Sequence, residues 1–275
     1  MTPYTTLSEK GPIGVFDSGM GGLTVMRRIR ALLPDEPLVY FGDTSRVPYG
    51  NKSPETIVRY SLEAASFFKS QGVKALVVAC NTASSYALTA LEYALKVPVL
   101  GVIAPGAEAA VNATKTGRIG VLGTKATVAS GAYQTEILGR MPDAHLFPIA
   151  CPLFVPLVEE RLIRHPATRL MIKEYLEPLK KQEIDTLLLG CTHYPVLAEL
   201  LQEEIGYKVQ IIDSGLTTAK SLDALLDAHD LKSQKPKAPE FYVSDDPDKF
   251  RLMGELFLGE RIPECFLVTE ELAPI

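Results

Sequence analysis

The sequence predicts an α/β protein of two similar, open, mainly parallel-sheet domains related by pseudo-twofold symmetry, with a functional cleft between them. Short β-branched runs alternate with helical patterns through most of the chain, and such βαβ alternation implies a mainly parallel sheet covered by helices. "RIGVLGTKATVAS" (118–130) echoes "PIGVFDSGMGGLTV" (12–25): each is an Ile-Gly-Val strand, a polar or glycine turn, then a helix. "VVACNTASS" (77–85) returns as "LLGCTHYP" (188–195), an apolar run that ends on a cysteine and passes at once to polar residues. Ile13 leads to Cys80 over nearly the same length of chain as Ile119 leads to Cys191.

The elements follow in order. "IGVFD" (13–17) reads as a strand, "SGMGG" as a glycine turn, and Leu23 to about Leu33 as a helix with Leu23, Met26, Ile29 and Leu33 on one side. That periodicity leaves the densest basic stretch, "MRRIR" (26–30), as a solvated face. "LVYFGD" (38–43) is the next strand. In "SPETIVRYSLEAASFFKSQG" (53–72), Ser53 is the N-cap, Pro54 takes the first helical position and Gly72 is the stop. "ALVVA" (75–79) is a buried strand, and a helix carries "SSYALTALEYAL" (84–95). The first domain boundary falls near "GVIAPG" (101–106) and the second unit ends near "IIDSG" (211–215). The tail, with its Pro/Lys loop "KSQKPKAP" (232–239) and the strand "FYVS" (241–244), returns to complete the first domain. The expected division is therefore 1–104 plus 214–275, carrying Cys80, and 105–213, carrying Cys191.

Composition excludes several function classes. At 275 residues, 47% apolar and 22% charged, the chain matches ordinary globular proteins. A net charge of −5 argues against a nucleic-acid partner, because phosphate binding needs a basic face. "MTPYTTLSEKG" at the start lacks the charged and apolar segments of a signal peptide, and no apolar run approaches the ~20 residues that span a bilayer. Cysteines at 80, 151, 191 and 265 show no CxxC spacing, so free thiols in a reducing cytoplasm are expected.

Cys151, before Pro152, and Cys265, within "ECFLV", read as small buried hydrophobes. Cys80 and Cys191 differ, because each stands where a strand ends and a helix is about to begin. In open α/β sheets the ligand crevice lies at the carboxyl ends of the strands. A helix N-terminus there favours negative charge, which predicts thiol pKa values below the free value of ~8.5. Asn81-Thr82 and Thr192-His193 add polar side chains directly after each thiol, and His193 is a suitable acid/base assistant near neutrality. Three chemistries use two thiols in one cleft: a metal site with Cys80, Cys191 and His193, for which no compact ligand spacing exists; a redox disulfide; and proton transfer to and from opposite faces of a carbon. "GMGG" lacks the GxGxxG spacing and any GK[ST] of nucleotide loops, so its glycines are expected to let backbone approach a ligand closely. Asp17, at a strand end before that turn, reads equally as a cap.

"GVFDSGMGGLTV", "YFGDTSRVPYG", "VVACNTASS", "CPLFVPLVE" and "LLLGCTHYP", in this order over residues 13–195, resemble the glutamate racemases of the aspartate/glutamate racemase superfamily. "FGDTSRVPYG" favours glutamate over aspartate. The resemblance implies a cofactor-independent interconversion of L- and D-glutamate that supplies D-glutamate for peptidoglycan. Cys80 and Cys191 match the two catalytic cysteines, the first working on D-glutamate and the second on L-glutamate. Asp17, Glu159 and His193 match side chains that assist them. Asp17, Ser18, Tyr49, Gly50, Asn81, Thr82, Thr192 and His193 match the residues that hold the amino acid. The resemblance implies no metal and leaves open a homodimer and a nucleotide-sugar effector.

Overall fold

The computed structural model describes residues 11–233, 236–269 and 272–273; the first ten residues of the N-terminal stretch read above, and two residues of the Pro/Lys loop, lie outside these. β1 (Ile13–Asp17) is buried at every position, as a strand covered on both faces must be. Its sequence neighbour β2 (Leu38–Gly42) pairs on one side of it and β3 (Ala75–Val78) on the other, with β4 (Val99–Gly101) beyond β3. The second sheet repeats the order. β5 (Arg118–Gly123) is flanked by β6 (His145–Ala150) and β7 (Thr186–Gly190), with β8 (Gln210–Asp213) beyond β7. β9 (Glu240–Val243) then pairs with β2 of the first sheet, and β10 (Phe266–Leu267) with β9. Every strand pairing among the described residues is parallel. The two expected α/β units are therefore present, as sheets of six and four strands.

Local chemistry sets the elements. Ser53 caps helix Pro54–Ser70 by accepting from Thr56 N at 3.3 Å, with Pro54 at the first position. Arg27 and Arg28 lie on the exposed side of helix Leu23–Leu32, whose Leu23, Met26 and Ile29 are buried. The helix expected over residues 84–95 is instead two, Asn81–Tyr86 and Leu88–Leu95, which meet at Ala87. No helix among the described residues is long and apolar enough to cross a membrane.

One buried ion pair fixes the returning tail. Lys74, fully buried just before β3, contacts Glu36 at 2.6 Å and donates to the carbonyl of Leu231 at 2.5 Å. Glu36 Oε1 in turn accepts from the backbone of Ser233 at 2.7 Å. The chain leaving helix Gly215–Ala228 is thereby tied to the base of the first sheet before it forms β9.

Candidate active site

The strand order 2-1-3-4 has a switch point between strands 1 and 3, where chain connections leave in opposite directions and a crevice opens at the carboxyl ends. Both sheets place a cysteine there. Continuing the β1–β3 register from Phe16↔Val78 sets Ser18 level with Cys80. Continuing the β5–β7 register from Gly123↔Gly190 sets Thr124 level with Cys191. The two thiols thus occupy equivalent positions in the two sheets, and both are buried.

Around the first thiol, Cys80 caps helix Asn81–Tyr86: its Sγ accepts from Ala83 N at 3.5 Å and contacts Ser18 Oγ at 3.6 Å. Asp17 is completely buried, accepting from Gly19 N at 2.9 Å and from Thr192 Oγ1 at 3.4 Å. Burial pushes the Asp17 carboxyl above its ordinary value, against the opposing influence of His193 and the N–H groups of Gly19 and Gly22. Burial, and then the Asp17 charge, push the Cys80 thiol up to about 11.

The second thiol has different company. Cys191 is followed by a 3-10 turn, Tyr194–Leu197, with Pro195 inside it, so the α-helix starts only at Ala198. Burial raises this thiol well above the ordinary range; the His193 N–H works against that, and the charges of Cys80, Asp17 and Glu159 add to it. The expectation of thiols acidified by helix N-termini is therefore overturned at both sites, because loss of solvation outweighs the local dipole. His193 is nearly buried, its Nε2 3.0 Å from Glu159 Oε1 at the end of helix Phe154–Glu159, and its ring meets Phe257 edge-on at 5.2 Å.

The two halves are stitched together across the cleft. Thr82 Oγ1 lies 3.0 Å from Thr124 Oγ1 and 3.2 Å from Thr127 Oγ1. Tyr133 Oη donates to Asn81 Oδ1 at 2.6 Å, and Thr24 Oγ1 donates to Thr192 O at 3.2 Å. Tyr49 is buried with its hydroxyl on Asp43 Oδ2 at 2.6 Å, which seats Gly50 so closely that a Cβ there would lie 2.5 Å from Thr124 Cβ. The "GMGG" glycines serve the same junction: a Cβ on Gly21 would lie 2.3 Å from Thr192 Oγ1 and 2.6 Å from His193 Nδ1. Cys80, Cys191 and His193 do not form a metal-holding group, and among the described residues no cluster of three or more His, Cys, Asp or Glu does.

Residues 13–222 match the family model for Asp/Glu/Hydantoin racemases. The chain belongs to this family. It is 48% identical over 269 residues to the glutamate racemase of Chlorobaculum tepidum, covering 97% of this chain and 99% of that one. A solved glutamate racemase from Bacillus anthracis superposes with a TM-score of 0.91 at 39% identity, covering 96% of this chain and all of the other. The Francisella tularensis glutamate racemase, solved in complex with D-glutamate, gives 0.89 at 37% identity over 96% and 98% of the two chains.

Within this racemase frame, the sequence-predicted residues Asp17, Ser18, Cys80, Asn81, Thr82, Cys191, Thr192 and His193 meet at the two switch points, Glu159 arrives through His193, and Tyr49-Gly50 through Thr124. Thr124, Thr127 and Tyr133 were not singled out from the sequence. The echo of "IGVFDSG" in "IGVLGTK" carries the signal for Thr124, which stands where Ser18 stands in the first half. Cys151 is buried, in keeping with its reading as a small buried hydrophobe, whereas Cys265 is only half-buried.

Proposed function

We propose that the enzyme interconverts L- and D-glutamate without a cofactor, by a two-base transfer between Cys191 and Cys80, and so supplies D-glutamate for peptidoglycan in the cytoplasm. The observation that carries this reading is the register equivalence of two buried thiols, with the charge of Cys80 felt at Cys191. Inversion at a stereocentre needs one group on each face of the carbon, and two equivalent strand ends supply them. The chain then divides into residues 1–104 plus 214–275 around Cys80 and residues 105–213 around Cys191, a division supported by strand membership.

The chemistry follows from the charges. A thiol held above its ordinary pKa by burial is a poor base, but the substrate's α-ammonium brings a positive charge beside the sulfurs and favours the thiolate. In the L-to-D direction, Cys191 thiolate takes the α-proton and becomes S–H. Developing negative charge on the substrate is met by hydrogen bonds from Asn81, Thr82 and Thr192 in a water-poor site. Cys80 S–H then delivers its proton to the opposite face and is left as thiolate; the reverse direction exchanges the two roles. Asp17 beside Cys80, and the His193–Glu159 pair beside Cys191, steady the proton inventory on each side.

L-Glutamate incubated with the enzyme in D₂O tests this. Optical rotation should fall to zero, and early D-glutamate should carry deuterium at the α-carbon while the remaining L-glutamate stays largely unlabelled. Unchanging rotation would remove the racemase reading, and substantial protium in early D-glutamate would remove the two-base step.

A further inference from the structure

We infer that Tyr133 is a positioning residue that sets the Asn81 amide and braces the loop of one thiol against the loop of the other. The inference rests on the role proposed for Asn81 in holding the substrate. Tyr133 lies at the start of helix Ala132–Arg140, is 1% exposed, and packs among Ile103, Ala107, Ile137 and Leu188. Its ring rests on the bare backbone of Gly190, the residue before Cys191: a Cβ there would lie 2.8 Å from Tyr133 Cε2. Gly106 lines the other side, where a Cβ would lie 3.2 Å from the hydroxyl. The hydroxyl itself reaches Asn81, the residue after Cys80. One side chain thus spans from the strand end that carries Cys191 to the helix start that carries Cys80.

The direction of the hydrogen bond follows from burial. A buried hydroxyl left without an acceptor costs the desolvation of its donor, and among the described residues Asn81 Oδ1 is the acceptor Tyr133 has. Tyr133 therefore donates, and the amide cannot turn over without placing Nδ2 against the hydroxyl and leaving that proton unmet. The Asn81 Nδ2 hydrogens remain without a partner among the described residues. They are free to meet an acceptor in the cleft, such as a substrate carboxylate. Nothing in this arrangement puts Tyr133 on a reacting atom.

Tyr133→Phe in the full chain keeps the ring against Gly190 and removes only the hydroxyl. The expected result is a KM increase of roughly tenfold for both enantiomers, a much smaller change in kcat and at most a modest drop in the thermal midpoint from the lost buried hydrogen bond. A purely structural role would lower the midpoint without separating KM from kcat. Because Tyr133 acts through Asn81, the Asn81→Ala/Tyr133→Phe double variant should have the KM of Asn81→Ala alone. Unchanged KM in Tyr133→Phe, or additive effects in the double variant, would overturn the inference while leaving racemisation intact. A wild-type chain that does not racemise glutamate would instead remove the proposed function. The ligand-free protein then still tests the placement: the ¹⁵N side-chain amide signals of Asn81, assigned by their loss in Asn81→Ala, should shift or broaden in Tyr133→Phe, and identical spectra would overturn it.

Discussion

The two strand ends that carry Cys80 and Cys191 are alike in backbone and unlike in company. Each sulfur follows a parallel strand at the same switch point, level with a hydroxyl residue on the neighbouring strand. Cys80 then opens an α-helix and has a buried carboxylate, Asp17, beside it. Cys191 is followed by a 3-10 turn and has an imidazole paired with a carboxylate nearby. A repeated scaffold has kept the position of the thiol and varied what manages its charge. Two proton transfers that are mirror images at carbon are therefore chemically different at the protein.

The largest expected effect treats the halves as equals. Cys80→Ala and Cys191→Ala should each lower racemisation by roughly 10²–10⁴-fold, the worth of an acid/base group at the reacting centre. Cys151→Ala should retain most activity. Appreciable turnover in either active-site variant, assayed by circular dichroism, would show that one base suffices.

Next is the junction itself. Gly21→Ala forces a methyl into Thr192 and His193, and a displacement of that size at a reacting centre costs about 10²-fold. Activity near wild type would mean that the halves need not approach this closely for turnover.

The difference between the halves is sharpened by Asp17→Asn and His193→Asn. L- and D-glutamate have equal free energies in water, so kcat/KM must fall equally in both directions in any variant. The asymmetry has to be read from isotope effects. Slowing transfer at Cys80 alone should raise the primary effect with α-deuterated D-glutamate and lower it with α-deuterated L-glutamate; His193→Asn should do the reverse. The same pattern in both variants would dissolve the assignment of one assistant to each thiol.

The smallest effect is on stability in alkali. Unfolded, a thiol loses its proton near pH 8.5, whereas folded Cys80 keeps it up to about 11. Between those values the unfolded chain binds fewer protons, so stability falls as pH rises, by about 3 kcal/mol for this one group. Denaturant midpoints across that range should fall less steeply in Cys80→Ala. Parallel slopes would place the folded thiol at an ordinary pKa.

The parallel α/β class, the duplicated Ile-Gly-Val turn and the return of "FYVS" were legible because each rests on a local pattern of apolar residues and punctuation. The break at Ala87 was not, since "SSYALTALEYAL" contains no Gly or Pro to announce it. Pro195 did carry the signal for the 3-10 turn after Cys191, through its missing N–H and its constraint on Tyr194. The thiol pKa values went the other way from the sequence reading because a helix start is visible in sequence and desolvation is not. Thr127 and Tyr133 stayed hidden for a related reason: their partners, Thr82 and Asn81, lie far off in the chain and meet them only when the sheets face each other.

The path of the chain has a consequence for the order in which the molecule is made. The four-stranded sheet draws all of its strands from residues 118–213 and can close as soon as that stretch has left the ribosome. The sheet begun first, at Ile13, needs β9 and β10 and so waits for residue 267. Phe257, the wall against which His193 leans, is synthesised only after β9. Domains generally form in the order of synthesis, but here the earlier half is finished after the later one. A nascent chain therefore holds both thiols long before it holds a completed cleft around them.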